Sequence, residues 1–154
     1  MNFQGELEQR SYRGHTNIKM VGVQTEWTPD LLKEYKKCME DPVYFIENYM
    51  KIINIDDGLV DFTMYDYQRD LIEHYNENRF SITLACRQSG KSVTTIGYLL
   101  WYALFNSEKT IAILANKGDT SREMLERFML ALENVPFFLQ PGCREYNKGT
   151  ITFE

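Results

Sequence analysis

The spacing of apolar residues divides the chain into helix-like and strand-like runs. In "WTPDLLKEYKKCME", Thr28 suits a helix N-cap and Pro29 the first helical position, and Leu31, Leu32, Tyr35 and Met39 form a predicted apolar face. Asp41-Pro42 repeats the cap-and-proline signal, followed by Ile46, Tyr49, Met50 and Ile53 at helical spacing. Asp57-Gly58 is a turn pair between two short β-compatible runs. Asp66 then precedes a third helix, "YQRDLIEHYNEN", with Tyr67, Leu71 and Tyr75 on one side. "FSITLA", residues 80–85, alternates apolar and polar positions and predicts a strand. After Gly90-Lys91 the period turns helical through Val93, Ile96, Gly97, Leu100 and Leu104, with Gly97 small enough to let a sheet lie close. "KTIAILA" is a continuous apolar run of the kind found in buried parallel strands. Thr120-Ser121-Arg122-Glu123 has the spacing of a capping box, ahead of a helix burying Leu125, Phe128, Met129 and Leu132 and ending at Pro136. "CREY" and "TITFE", framed by Pro141-Gly142 and Asn147-Lys148-Gly149, predict a hairpin. Residues 1–23 show no apolar period and are expected to form a flexible arm without chemistry.

Strand, loop, helix, strand, helix in this order predicts an α/β fold, with a parallel sheet and flanking helices, preceded by a small helical N-terminal subdomain. The expected divisions are an arm at 1–23, the helical subdomain at 24–64 and an α/β portion at 65–154. The 154 residues, 44% of them hydrophobic, suffice for one core. A net charge of -5 and a pI near 5.1 disfavour a basic nucleic-acid-binding module, so any nucleic-acid grip must be local or lie elsewhere. Cys38, Cys86 and Cys143 have neither metal-binding spacing nor an even count, which points to a reducing compartment. No stretch is apolar for long enough to suggest a membrane span, and the expectation is a soluble protein that is not exported.

The chemistry centres on Ala85-Cys86-Arg87-Gln88-Ser89-Gly90-Lys91-Ser92, a phosphate-binding motif with alanine where the G-x-x-x-x-G-K-[ST] pattern begins with glycine. Such a loop works because successive backbone N–H groups at a helix N-terminus form an anion-binding concavity. Gly90 allows close approach, Lys91 brings positive charge to the β- and γ-phosphates, and the Ser92 hydroxyl is placed to ligate Mg²⁺. Ala85 is tolerable provided its dihedrals stay ordinary. Arg87 beside Lys91 repels it unless an anion lies between them, and a triphosphate is such an anion. The competing reading of Arg87 is a surface arginine paired with an acid.

"RQSGKS", Tyr67-Gln68 one helix upstream, "IAILANKGDTSREMLERFMLALENVPFFLQPG" and "YNKGTI" together resemble the N-terminal part of the ATPase domain of the large terminase subunit of tailed bacteriophages. "TEWTPDLLKEYKKCMEDPVYFIENY" is similar to the segment before that ATPase in myovirus-type members, so the resemblance covers about residues 20–154. It implies that residues 65–154 are the N-terminal portion of a P-loop ATPase domain, a partial P-loop NTPase, and that the protein is an ATP- and Mg²⁺-dependent motor that pumps double-stranded DNA into a procapsid. The motor would assemble at the portal vertex in the host cytoplasm, with the portal protein and small terminase subunit as partners. Residues 85–92 would hold the nucleotide, Gln68 would read the adenine edge, and Arg87 and Lys91 would be the catalytic cations, Arg87 contacting the γ-phosphate in cis.

The sequence departs from the family in lacking an apolar run ending in Asp-Glu, which holds Mg²⁺ and orients water; "TITFE" supplies a single carboxylate. The chain is therefore expected to be a fragment that stops before that segment and before the nuclease domain, inactive by itself. The alternatives are a nucleotide-binding or interaction protein without turnover, and a helicase-like P-loop ATPase of another lineage.

Overall fold

The computed structural model describes residues 10–54 and 56–154. Its described elements are β1 (Ser11–Tyr12), β2 (His15–Lys19), α1 (Pro29–Glu40), α2 (Pro42–Tyr49), β3 (Lys51–Asn54), β4 (Gly58–Asp61), α3 (Asp66–Glu77), α4 (Lys91–Phe105), α5 (Gly118–Glu133), β5 (Cys143–Tyr146) and β6 (Ile151–Phe153). The strands pair as three antiparallel hairpins, β1–β2, β3–β4 and β5–β6. The architecture is thus a small α/β assembly of five helices and short antiparallel pairs among the described residues.

The two predicted parallel strands do not form a sheet. Residues 80–85 and 109–115 carry no strand assignment, and Phe80, Ile82, Leu84 and Leu114 are exposed at 82%, 100%, 99% and 89%. A strand exists through its ladder, and these runs have no neighbour to bond among the described residues. Only one side of the second run is covered: Ile111 and Ile113 are half-buried, whereas Ala112 and Leu114 face solvent. That pattern corrects the expectation of a strand buried on both faces.

Helices carry the core. On α4, Ile96, Gly97, Leu100, Trp101 and Leu104 are buried, meeting Phe45, Ile46 and Met50 from α2 and its C-cap, Ile72 from α3, and Phe128, Ala131 and Leu132 from α5 in one cluster. Gly97 does permit a close approach, but to a helix: a Cβ there would lie 2.9 Å from Met50 Sδ and 3.3 Å from Ile46 Cδ1. The Trp101 indole donates to the Cys38 carbonyl at 2.8 Å, satisfying a buried polar atom and tying α4 to α1.

Both proline-marked starts form as read. Thr28 Oγ1 accepts from Leu31 N–H at 3.3 Å, and Asp41 Oδ1 from Tyr44 N–H at 2.9 Å. The face of α1 is rotated from expectation: Cys38 is buried and Leu31, Glu34 and Tyr35 are half-buried, while Leu32 and Met39 are exposed. Ile53, expected on the second helix, is 66% exposed because that helix ends at Tyr49 and the chain turns into β3. On α3 the buried positions are Gln68 and Ile72, and Tyr67 points outward. Helix α5 starts at Gly118, so the predicted capping box lies inside its first turn and Lys117 stands at the cap without a side-chain bond.

The described part of the arm is not loose, which corrects the reading of 1–23; residues 1–9 lie outside the described residues. Ile18 is 1% exposed, and Gln140 clamps β2 by accepting from Lys19 N–H at 2.9 Å and donating to Asn17 O at 2.9 Å. Met20 bridges to Cys143 in parallel, and Glu154 accepts from both Gly22 N–H and Gly142 N–H at 3.1 Å. A hairpin this short has too few apolar residues to show periodicity, and its docking depends on distant polar partners.

Glu34 sits where α1 meets α2, accepting from Tyr44 and Tyr49 hydroxyls at 2.7 and 2.8 Å. These hydrogen bonds hold its carboxyl below the ordinary range and push Tyr44 up to about 12. A depressed carboxyl stabilises the fold above its unfolded value and loses that contribution as pH falls through the folded one. Chemical denaturation across the acid range should accordingly show a shallower acid-side loss of stability in Glu34→Gln than in wild type.

Candidate phosphate-binding loop

The loop from Cys86 to Gly90 is turned by two residues in the left-handed region, Gln88 at φ 62° and Gly90 at φ 72°. Ala85 is not among the positive-φ residues, so its place at the start of the motif makes no demand that only glycine meets. Gly90 also caps α4 without a side chain, leaving the amides of the first turn with no intrahelical acceptor; Thr94 N–H is bonded to Gly90 O at 3.0 Å.

Side chains from inside and outside the loop fix its shape. Ser89 Oγ donates to Cys86 O at 3.0 Å, and Lys91 Nζ curls back to the same carbonyl at 3.1 Å. From the start of α3, the Tyr67 hydroxyl donates to Ser89 O at 2.7 Å. Gln68, 3% exposed, lies directly under Gly90: a Cβ on that glycine would come within 2.5 Å of Gln68 Nε2. The Gln68 Oε1 is already used, accepting from Tyr65 N–H at 2.9 Å as a helix cap.

Of the sequence-predicted site residues, Cys86, Gln88, Ser89, Gly90 and Lys91 form one turn with Gln68 packed beneath it, and Ser92 is half-buried in the first turn of α4. Arg87 is exposed and makes no ion pair among the described residues, unlike the acid-paired surface arginines Arg69, Arg122 and Arg127. The buried cysteines have no place in this chemistry, since burial pushes the Cys38 thiol up to about 12 and raises that of Cys143. A shallow cavity of about 200 Å³ between Thr16, Asn17, Glu133 and Phe137 shares no residue with the loop. Among the described residues no three His, Cys, Asp or Glu side chains gather as a metal site.

Sequence reading missed two contributors, Tyr65 and the hydroxyl of Tyr67. The rings of these residues stack with centroids 5.7 Å apart and planes 11° from parallel, and they are 69% and 50% exposed. The signal available in the sequence was two tyrosines flanking a helix start just before a phosphate loop.

A run of strand composition, an αL-capped helix and a lysine folded over the intervening turn stand together on a small α/β scaffold. Residues 82–154, a little under half of the chain, match the family described as terminase large subunit, T4likevirus-type, N-terminal. The resemblance drawn from "RQSGKS" and the blocks after it is thereby shown for this segment, and the match supports a role in phage DNA packaging.

The contact between Gly90 and Gln68 yields a double-variant test. Gly90→Ala should destabilise the protein by about 1–3 kcal/mol in urea denaturation, combining positive-φ strain with the clash. Adding Gln68→Ala should recover part of that loss, because it removes the clash and leaves the strain.

Proposed function

We propose that the chain is the ATP-binding part of a large terminase subunit, a motor that translocates double-stranded DNA into procapsids. The observation that carries the reading is the turn Cys86–Gly90, with its unsatisfied helix amides and Lys91 folded over it, at the start of the family-matched stretch. The amides and Lys91 receive the β- and γ-phosphates, and Arg87, unpaired beside them, reaches the γ-phosphate. In this reading the runs 80–85 and 109–115, unpaired in the arrangement described above, become strands of a parallel sheet in the working motor subunit. Ser92 fits a magnesium site of the kind made by one hydroxyl, phosphate oxygens and water, which needs no acidic cluster. When bound, Mg²⁺ neutralises charge on the phosphates. The portal protein and small terminase subunit are the partners this role requires, with the portal vertex of the procapsid as its place of action. No helix among the described residues is long and apolar enough to cross a membrane.

Binding measured by calorimetry with ATP, ADP and Mg²⁺ tests the assignment. Arg87→Ala should weaken ATP more than ADP, by about 1.5–3 kcal/mol for a lost charge-assisted hydrogen bond. Lys91→Ala should weaken both. An unchanged ATP-to-ADP preference in Arg87→Ala would remove its γ-phosphate role.

A second reading, nucleotide binding without turnover, is favoured by one observation. The Glu154 carboxylate, the terminal acid of "TITFE", is bonded to Gly22 and Gly142 amides and has no water-orienting role in this arrangement. The purified chain should release no phosphate from ATP above background. Steady release that Lys91→Ala abolishes would rule this reading out.

A further inference from the structure

A concavity that shares no residue with the loop lies where β2 meets the end of α5. Thr16, Asn17 and Glu133 line two cavities of about 200 Å³ each, one continued by Gly14 and His15, the other by Val135, Pro136 and Phe137. These are two lobes of one groove, polar on one side and apolar on the other, with Glu133 common to both. Each lobe is smaller than the roughly 300–1,000 Å³ of sites for small organic ligands, and suits a single side chain.

The charge at the groove is uncompensated. Glu133 is the last residue of α5, at the end where a helix carries partial negative charge and favours cations, yet no basic residue stands in that turn. The carboxylate makes no ion pair among the described residues. Its one hydrogen bond there comes from the Tyr146 hydroxyl, to Oε1 at 2.7 Å, which leaves Oε2 uncommitted. Burial, and then this carboxylate, raise the Tyr146 phenol above its ordinary value and keep it a donor. The surroundings are preformed: the His15 ring stands edge-on to Tyr146 at 4.8 Å, and the buried Gln140 amide joins the two walls by donating to Asn17 O at 2.9 Å and Val135 O at 2.6 Å.

We propose that this groove is the docking seat for an arginine side chain presented by a partner polypeptide, its guanidinium on Glu133 and its stem along Pro136 and Phe137. Charge complementarity selects the occupant, and a net charge of -5 draws basic segments toward the chain. Arginine fits better than lysine because its planar fork can engage both oxygens of a carboxylate, whereas an ammonium acts as a point charge.

The test titrates the isotope-labelled full chain by NMR with the blocked peptide Gly-Ser-Arg-Ser-Gly and with counterparts carrying citrulline or lysine in place of arginine. Shift changes should centre on Thr16, Asn17, Glu133 and Phe137. The citrulline peptide, alike in shape but uncharged, should bind about tenfold or more weaker, and Glu133→Gln, which keeps an acceptor for Tyr146, should weaken the arginine peptide as much. The lysine peptide should fall between. Thr16→Lys, at an exposed position, should block the groove with the thermal transition unchanged. Equal binding of the arginine and citrulline peptides, changes scattered over the surface or absent from the groove, or undiminished binding in Glu133→Gln and Thr16→Lys would overturn the proposal. Self-association of wild type in sedimentation that Glu133→Gln abolishes would give the groove to a second copy of the chain, and so would overturn the separate partner.

Discussion

Everything about the candidate site depends on where α4 lies, because its first turn is one wall of the loop and its middle is the centre of the core. Two contacts fix it. Gly97 lets α2 approach until Met50 and Ile46 occupy the space a side chain would take, and Trp101 hooks the Cys38 carbonyl on α1. Helix α3 packs on the same helix, with Tyr75 O accepting from the Tyr98 hydroxyl at 3.2 Å, and so carries Tyr67 and Gln68 to the loop's far side. The helices before the loop are therefore more than a preface to it. They are the surface against which the loop-bearing helix is positioned.

Helix starts were legible because their signals are local. Thr28-Pro29 and Asp41-Pro42 act within one turn, through a side-chain oxygen and a fixed φ, and both caps form. The hairpin of "CREY" and "TITFE" was equally legible, since two short runs around a turn can pair with each other alone. What could not be read is what depends on a distant partner. Glu34 lies on the inner face of α1 only because two tyrosine hydroxyls of α2 meet it. Residues 10–22 lack periodicity and nevertheless dock, through Gln140 and Glu154, more than a hundred positions away.

The runs 80–85 and 109–115 show the limit in the opposite direction. Their composition is that of strands, and α4 between them is long enough for a parallel crossover. Parallel strands joined in this way need not be neighbours, and composition does not say which strand lies beside which. Here neither run bonds the other, so Ile82, Leu84 and Leu114 remain in solvent while the helices that follow each run are packed. The turn Cys86–Gly90 is held instead by helix-borne groups, namely Tyr67, Gln68 and the cap of α4, and not by a ladder.

The loop's dihedrals follow from the same division of labour. A non-glycine residue in the left-handed region costs roughly 1–2 kcal/mol, and Gln88 bears that cost beside a glycine that does not. The cost is sustained because the surrounding bonds fix the turn: Ser89 Oγ and Lys91 Nζ both bind Cys86 O, and Tyr67 fixes Ser89 O. The carbonyls of Cys86 and Ser89 are thereby engaged by side chains at the surface of the turn. Lys91 lies over the turn, and Arg87 stands exposed beside it with no ion pair among the described residues. On a chain of net charge -5, attraction for a triphosphate must come from such an arrangement and not from the molecule's overall field.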